Sequence, residues 1–114
     1  MELQTVVELD EFRRQAADLM RDDERHALID YLAQRPDSGV VVRGSGGVRK
    51  LRWQHGDRGR SGGLRVVTFY SGRDLPLFLI TAYGKSDRAN LSKAELNAMR
   101  RLTAVLKQAY GDKR

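Results

Sequence analysis

Apolar positions along the chain change period near the middle. Thr5-Val6-Val7-Glu8-Leu9 reads as a short strand, and Asp10, just ahead of Glu11-Phe12, is an N-cap candidate for a following helix. Phe12, Ala16, Leu19 and Met20 then fall at spacings of three and four. They form one buried stripe, with Arg13, Arg14, Gln15 and Asp18 off it. A second helix is predicted from about Asp23 to Gln34. Asp22, Asp23 and Glu24 sit at the positive end of its dipole, and Ala27, Leu28, Tyr31 and Leu32 form its core face. Arg35-Pro36 ends it, because a residue before proline is pushed out of the helical region, and Pro36-Asp37-Ser38-Gly39 reads as a turn.

Beyond that turn the period shortens. Val48-Arg49-Lys50-Leu51-Arg52-Trp53 is a strand candidate with Leu51 and Trp53 facing the core. Arg49 shares their side by parity, so it belongs at the strand edge, where its head reaches water. Lys50 and Arg52 share the opposite face, about 7 Å apart along the strand, close to the spacing of phosphates on an extended single strand. Leu64 to Tyr70 and Leu77 to Tyr83 are nearly continuous β-formers separated by Ser71-Gly72-Arg73-Asp74, which predicts adjacent antiparallel strands. Ser92-Lys93-Ala94-Glu95 is a capping-box pattern. Leu96, Met99, Leu102, Leu106 and Ala109 follow at helical spacing, which predicts a helix to about Tyr110 with Gly111 as its stop.

Charge sharpens this picture. Residues 1 to 37 hold five arginines and ten acids, net −5, whereas residues 38 to 114 hold sixteen basic residues and five acids, net +11. Arg43, Arg49, Lys50, Arg52, Arg58, Arg60 and Arg65 crowd one stretch that contains the single acid Asp57. Such a dipolar chain attracts an anionic polymer with one surface, so nucleic acid is the leading partner and an acidic protein the second. At 114 residues the sequence is read as one domain, 1-114, with enough apolar material for a core at 40% hydrophobic residues. Its longest apolar run, Leu75 to Tyr83, is too short to cross a bilayer as a helix, and the first residues do not resemble a secretory signal. With no cysteine there is no disulfide framework and no thiolate metal site, which is compatible with a reducing cytoplasm.

Several residues have ordinary readings. Gly44-Ser45-Gly46-Gly47 and Gly59-Arg60-Ser61-Gly62-Gly63 lack the lysine and hydroxyl of a phosphate loop and read as mobile hairpin connections. His26 belongs to a helix surface, Trp53 reads as a core anchor rather than a base-stacking platform, and Asp22-Asp23-Glu24 is explained by capping. No carboxylate pair in the basic half has metal-ligand character, so chemistry on this surface falls to cations, a tyrosine or a histidine. Arg65 stands out because an arginine within the apolar run Leu64 to Tyr70 requires a partner, either an acid or a ligand phosphate.

Four blocks together carry a resemblance. Gly47-Val48-Arg49-Lys50-Leu51-Arg52-Trp53, Gly59-Arg60-Ser61-Gly62-Gly63-Leu64-Arg65-Val66-Val67, Ala82-Tyr83-Gly84-Lys85-Ser86 and Asn90-Leu91-Ser92-Lys93-Ala94-Glu95 resemble the RelE/HigB-type toxins of type II toxin-antitoxin modules. The likeness covers roughly residues 43 to 110. It implies an α+β, RelE-like fold, with two N-terminal helices and a C-terminal helix packed on a mostly antiparallel sheet. The implied activity is ribosome-dependent endoribonuclease cleavage of mRNA in the ribosomal A site, by 2′-hydroxyl attack, with no metal or other cofactor. A cognate acidic antitoxin and a cytoplasmic setting are implied as well, with no membrane partner.

Carried over by position, the resemblance makes Arg65, Lys85, Lys50 and Tyr83 the catalytic candidates, and Arg49, Arg52, Arg58 and Arg60 the RNA-binding ones. Arg65 would grip the scissile phosphate, Lys50 and Arg52 hold the backbone, and Lys85 assist with charge or proton transfer. Tyr83 and His55 are both candidates for the base or acid. Two other readings stay open at this stage. One is a non-catalytic RNA- or ribosome-binding module, and the other is a degenerate partner that only holds an antitoxin.

Overall fold

Every residue of the strand Leu77–Gly84 is buried, as are five of the six in Leu64–Phe69, so this pair needs cover on both faces. Helices supply it. The computed structural model describes residues 3–54, 63–84 and 90–111. Its elements run β1 (Val6–Glu8), α1 (Asp10–Leu19), α2 (Asp22–Gln34), β2 (Val40–Val41), β3 (Val48–Trp53), β4 (Leu64–Phe69), β5 (Leu77–Gly84) and α3 (Lys93–Gly111). The five strands form one sheet in the order β1-β5-β4-β3-β2, antiparallel except where β1 lies parallel to β5. This is the expected α+β arrangement.

One face is covered by α1 and α2. Phe12, Ala16, Met20, Leu28 and Leu32 pack there against Leu64, Val66, Leu77, Leu79 and Ala82. Leu51 and Trp53 join this cluster from β3, and the Trp53 ring lies 5.5 Å from that of Tyr31, as a core anchor should. The other face is covered by α3, whose Met99 and Leu106 pack with Val48, Val67, Phe69, Phe78, Ile80 and Tyr83.

Local details differ from expectation in ways that packing explains. Asp10 is the first residue of α1 rather than its cap, and Leu9 takes the extended capping position. In α2 the Glu24 carboxylate accepts the Arg21 backbone N–H at 2.8 Å, closing the helix start and accounting for a buried acid. The α3 capping box forms as read, with Ser92 N–H donating to Glu95 at 2.8 Å and Glu95 N–H to Ser92 Oγ at 3.1 Å. Ala109, however, is exposed. The inward line of α3 passes instead through Met99, Thr103 and Leu106, and Tyr110, though 46% exposed, meets the Phe78 ring edge-on at 5.0 Å.

The Gly44-Ser45-Gly46-Gly47 segment is a packed turn, not a loose connection. Ser45 is fully buried; its Oγ donates to the Val42 carbonyl at 2.6 Å and accepts the Val48 N–H at 2.9 Å. Gly46, at φ +83°, lies so close beneath α3 that a Cβ would collide with Thr103 Oγ1. Before this turn comes β2, a two-residue edge strand paired through Val40↔Lys50 and Val41↔Arg49 that was too short to announce itself. Among the described residues no helix is long and apolar enough to cross a membrane.

A two-point ion pair ties β1 to α2. Arg25 Nε and Nη2 donate to the Glu8 carboxylate at 2.6 and 3.0 Å. The hydrogen bond from Arg25 lowers the Glu8 pKa below its usual value; desolvation opposes this and the Arg25 charge reinforces it. A depressed carboxylate pKa contributes stability that is present above the unfolded-state value and lost as pH falls through the folded one. Glu8→Gln is therefore expected to cost about 1–2 kcal/mol at pH 7 and progressively less below about pH 4.3. Urea denaturation at pH 7 and pH 3 checks this, an equal loss at both values being the contrary result.

Candidate nucleic-acid interface and active site

Residues opposite one another in an antiparallel ladder project to the same face of a sheet. Pairing across β3, β4 and β5 gives three rows on the face that carries α3. Val48, Phe69 and Phe78 form the first row, and Lys50, Val67 and Thr81 the second. Arg52, Arg65 and Tyr83 form the third. The first row lies in the cluster under α3. Toward the third row the surface opens: Lys50 and Arg65 are half-buried and Arg52 is exposed. Three cations and a tyrosine thus share one open end of one face.

A β-bulge makes this alignment possible. Thr68 pairs with Leu79 while Val67 pairs with Thr81, so Ile80 is the extra residue. Without it the regular register from Phe69↔Phe78 would bring Ala82, not Tyr83, opposite Arg65. The bulge turns the last residues of β5 over, which is a recognised way for a strand to re-aim a side chain. Tyr83 consequently joins the α3-side cluster with only 5% of its surface exposed.

The row sets two like charges across from each other. Arg52 and Arg65 are direct cross-strand partners, and like charges in that position destabilise a sheet. One arm of the Arg65 guanidinium lies 3.5 Å from its own chain's Leu64 carbonyl, a long contact for a hydrogen bond. An anion between the two guanidiniums would convert repulsion into shared attraction. Planar guanidinium groups suit phosphate in particular.

Arg49 has a different environment. It stands on the opposite face, where its Nη1 donates to the Asp37 carbonyl at 3.0 Å and reaches Gly39 O at 3.4 Å. The structure therefore does not bring it together with Lys50, Arg52 and Arg65, and its guanidinium holds the turn that leads into β2. Arg58, Arg60, His55 and Lys85 lie outside the described residues.

Thr81 was not singled out by the sequence. It sits in the middle row, 95% buried, and its Oγ1 donates to Glu11 Oε2 at 3.2 Å. Glu11 and Thr81, with Ile80, Glu95, Ala98, Met99 and Leu102, line a pocket of about 260 Å³ between α1 and α3. No one-dimensional signal pointed there, because the bulge that turns Thr81 is a property of pairing.

A family model described as the RelE toxin of the RelE/RelB toxin-antitoxin system matches residues 8–113. The chain belongs to the RelE toxin family. Toxins of this family are generally translation-inhibiting endoribonucleases, and the family implies an antitoxin partner with ribosome and mRNA involvement. The match takes in both the N-terminal helices and the basic half, so it covers strands β2 to β5 and the helices on each face of the sheet.

The two arginines of β3 are expected to behave oppositely. Arg49→Ala should destabilise the RelE-family fold by about 0.5–1.5 kcal/mol, because the turn before β2 loses the guanidinium that bonds its carbonyls. Arg52→Ala should leave stability unchanged or raise it by about 0.2–1 kcal/mol while weakening RNA binding. Thermal denaturation together with RNA titration of both variants decides this, and a stability loss at Arg52 as large as that at Arg49 would contradict it.

Proposed function

We propose that this protein is a ribosome-dependent mRNA endoribonuclease that inhibits translation and is neutralised by a cognate acidic antitoxin. The observation that carries the reading is the shared row of Arg52, Arg65 and Tyr83 with Lys50 one row behind, on an open end of the sheet in a RelE-family chain. In this proposal the whole of 1-114 acts as a single toxin domain working in the cytoplasm.

The reaction is internal transfer at one phosphate. A ribose 2′-oxygen attacks the adjacent phosphorus, the P–O5′ bond breaks, and the products carry a 2′,3′-cyclic phosphate and a free 5′-hydroxyl. One proton leaves the 2′-hydroxyl for a base and one is delivered to the departing 5′-oxygen. Arg65 grips the scissile phosphate and stabilises the extra negative charge of the pentacovalent state, which side-chain cations supply without a metal. Lys50 and Arg52 hold flanking phosphates. Arg58 and Arg60 extend the RNA contact, and Lys85, which follows β5 in sequence, adds charge or relays a proton. Tyr83 is the base or acid beside Arg65 in the ladder, with His55 the other candidate; such proton transfer is worth about 10²- to 10⁴-fold in rate.

Positioning would dominate the remaining barrier, because an in-line 2′-oxygen requires a particular backbone conformation. A ribosome presents mRNA in a constrained A-site path and supplies that conformation, which is the physical reason for ribosome dependence. An acidic antitoxin would find its counter-charge on the +11 half of the chain.

The test is primer extension on mRNA in a purified bacterial translation system, with and without ribosomes, for wild type and Arg65→Ala. New 5′ ends are expected only with ribosomes and wild-type protein, with at least about a 100-fold loss for a folded Arg65→Ala, in line with removing one transition-state donor. Full cleavage by the variant would sink the role of Arg65. RNA binding by a folded wild-type protein with no new ends would make this a binding module instead.

A further inference from the structure

Strand β5 loses its outer neighbour partway along. Among the described residues β1 pairs only with residues 77–79, and the Leu9 N–H donates to the Leu79 carbonyl at 3.0 Å as the chain leaves the sheet for α1. The bulged residue Ile80 follows at once, then Thr81, and beyond it Tyr83 stands opposite Arg65. A bulge leaves one residue without a ladder partner and bends its strand, so whatever holds the strand there sets the aim of the side chains beyond it. The turn from β1 into α1 delivers Glu11 to that place. Thr81, only 5% exposed, donates its hydroxyl hydrogen to Glu11 Oε2 at 3.2 Å, and a buried hydroxyl needs such a partner. The carboxylate is itself held from its own helix: Arg14 Nη2 donates to Oε1 at 2.8 Å and Gln15 Nε2 to Oε2 at 3.4 Å. A side chain thus takes over where strand pairing ends.

We infer that Glu11 and Thr81 are positioning residues, which fix the β5 bulge and so hold the Tyr83 ring in line with Arg65. The inference rests on the RNA-cleaving reading of the site, in which that ring serves as base or acid. Neither residue belongs to the open row: Thr81 lies one row behind, across from Val67, and Glu11 is on α1. Their effect on the reaction therefore passes through Tyr83. A hydroxyl bonded to a carboxylate is charge-assisted, which makes it stronger than a bond between neutral groups. The competing arrangement is concrete, because a ladder without the bulge would put Ala82 opposite Arg65. Proton transfer depends steeply on alignment, and a displacement of about 1 Å can cost about 10²-fold in rate. Loosening the bulge without undoing it is a smaller displacement, with an expected cost of about tenfold.

The experiment uses the full chain as wild type, Thr81→Val, Thr81→Ser, Glu11→Ala, Tyr83→Phe and Thr81→Val/Tyr83→Phe, each checked for folding by circular dichroism. Single-turnover cleavage is followed at increasing concentrations of mRNA-programmed ribosomes. Thr81→Val and Glu11→Ala should lower the limiting rate by about tenfold with the half-saturating concentration unchanged, and Thr81→Ser, which keeps the hydroxyl, should retain it. In the Tyr83→Phe background Thr81→Val should cost nothing further, since residues that act as a unit are not additive. A wild-type rate for Thr81→Val, or a loss that adds in full to that of Tyr83→Phe, would overturn the inference. The same variants carrying ring-labelled tyrosine are compared by NMR, with the Tyr83 signal assigned by its absence from Tyr83→Phe. That signal should move in Thr81→Val and Glu11→Ala and return in Thr81→Ser; an unmoved signal overturns the inference with or without nuclease activity. Absence of cleavage by wild type would instead defeat the RNA-cleaving reading, and the NMR comparison alone would then decide whether Glu11 and Thr81 position the ring.

Discussion

The structure depends on the double-sided burial of β4 and β5. Two adjacent strands with apolar side chains above and below require a layer on each face, and α1 and α2 on one side and α3 on the other provide it. In such a sheet a charged side chain is tolerated only where the cover ends, because desolvating a guanidinium without compensation costs several kcal/mol or more. Arg65 is placed accordingly, one residue into β4, with Arg52 across the ladder and Tyr83 on its other side. Burial eases toward half-buried Arg65 and exposed Arg52, and that is where the sheet accepts charge.

The bulge at Ile80 belongs to the same constraint. A regular ladder would seat Ala82 beside Arg65 and turn the Tyr83 ring toward the α1–α2 layer. One extra residue reverses the last segment of β5 and leaves the alternation before it undisturbed. Thr81 then turns toward the α3 side and meets Glu11, so α1 is tied to β5 beside the site. A small irregularity in pairing thus sets which side chains share a face.

The unequal charges of the two halves of the chain become the two sides of the molecule. Asp10, Glu11, Asp18, Asp22, Asp23 and Asp30 are exposed on α1 and α2, while Lys93, Arg100, Arg101 and Lys107 are exposed on α3 across the sheet. Arginines serve different ends according to the face they occupy. Arg25 grips Glu8, Arg49 and Arg100 hold backbone carbonyls of the turns flanking β2, and Arg52 projects from the open row. Residue type alone does not separate these duties.

Much of this was legible in the residues themselves. Helix spacing, the Ser92 capping box, the long strands Leu64 to Tyr70 and Leu77 to Tyr83, and the opposite facing of Leu51 and Lys50 all follow from local rules of period and capping, which neighbours in sequence satisfy on their own. The resemblance to RelE-type toxins rested on short motifs in a fixed order, and the family match bears it out. Arg49 shows the limit of such reading: its side of the strand was evident by parity, but its carbonyl partners come from a turn ten and twelve residues earlier. The parallel pairing of β1 with β5, the two-residue β2, the packing of Gly46 under Thr103 and the bulge that aligns Tyr83 with Arg65 were decided by tertiary structure. Each depends on which distant backbone lies alongside, and that is settled by the closure of the whole apolar core rather than by any segment's own preference.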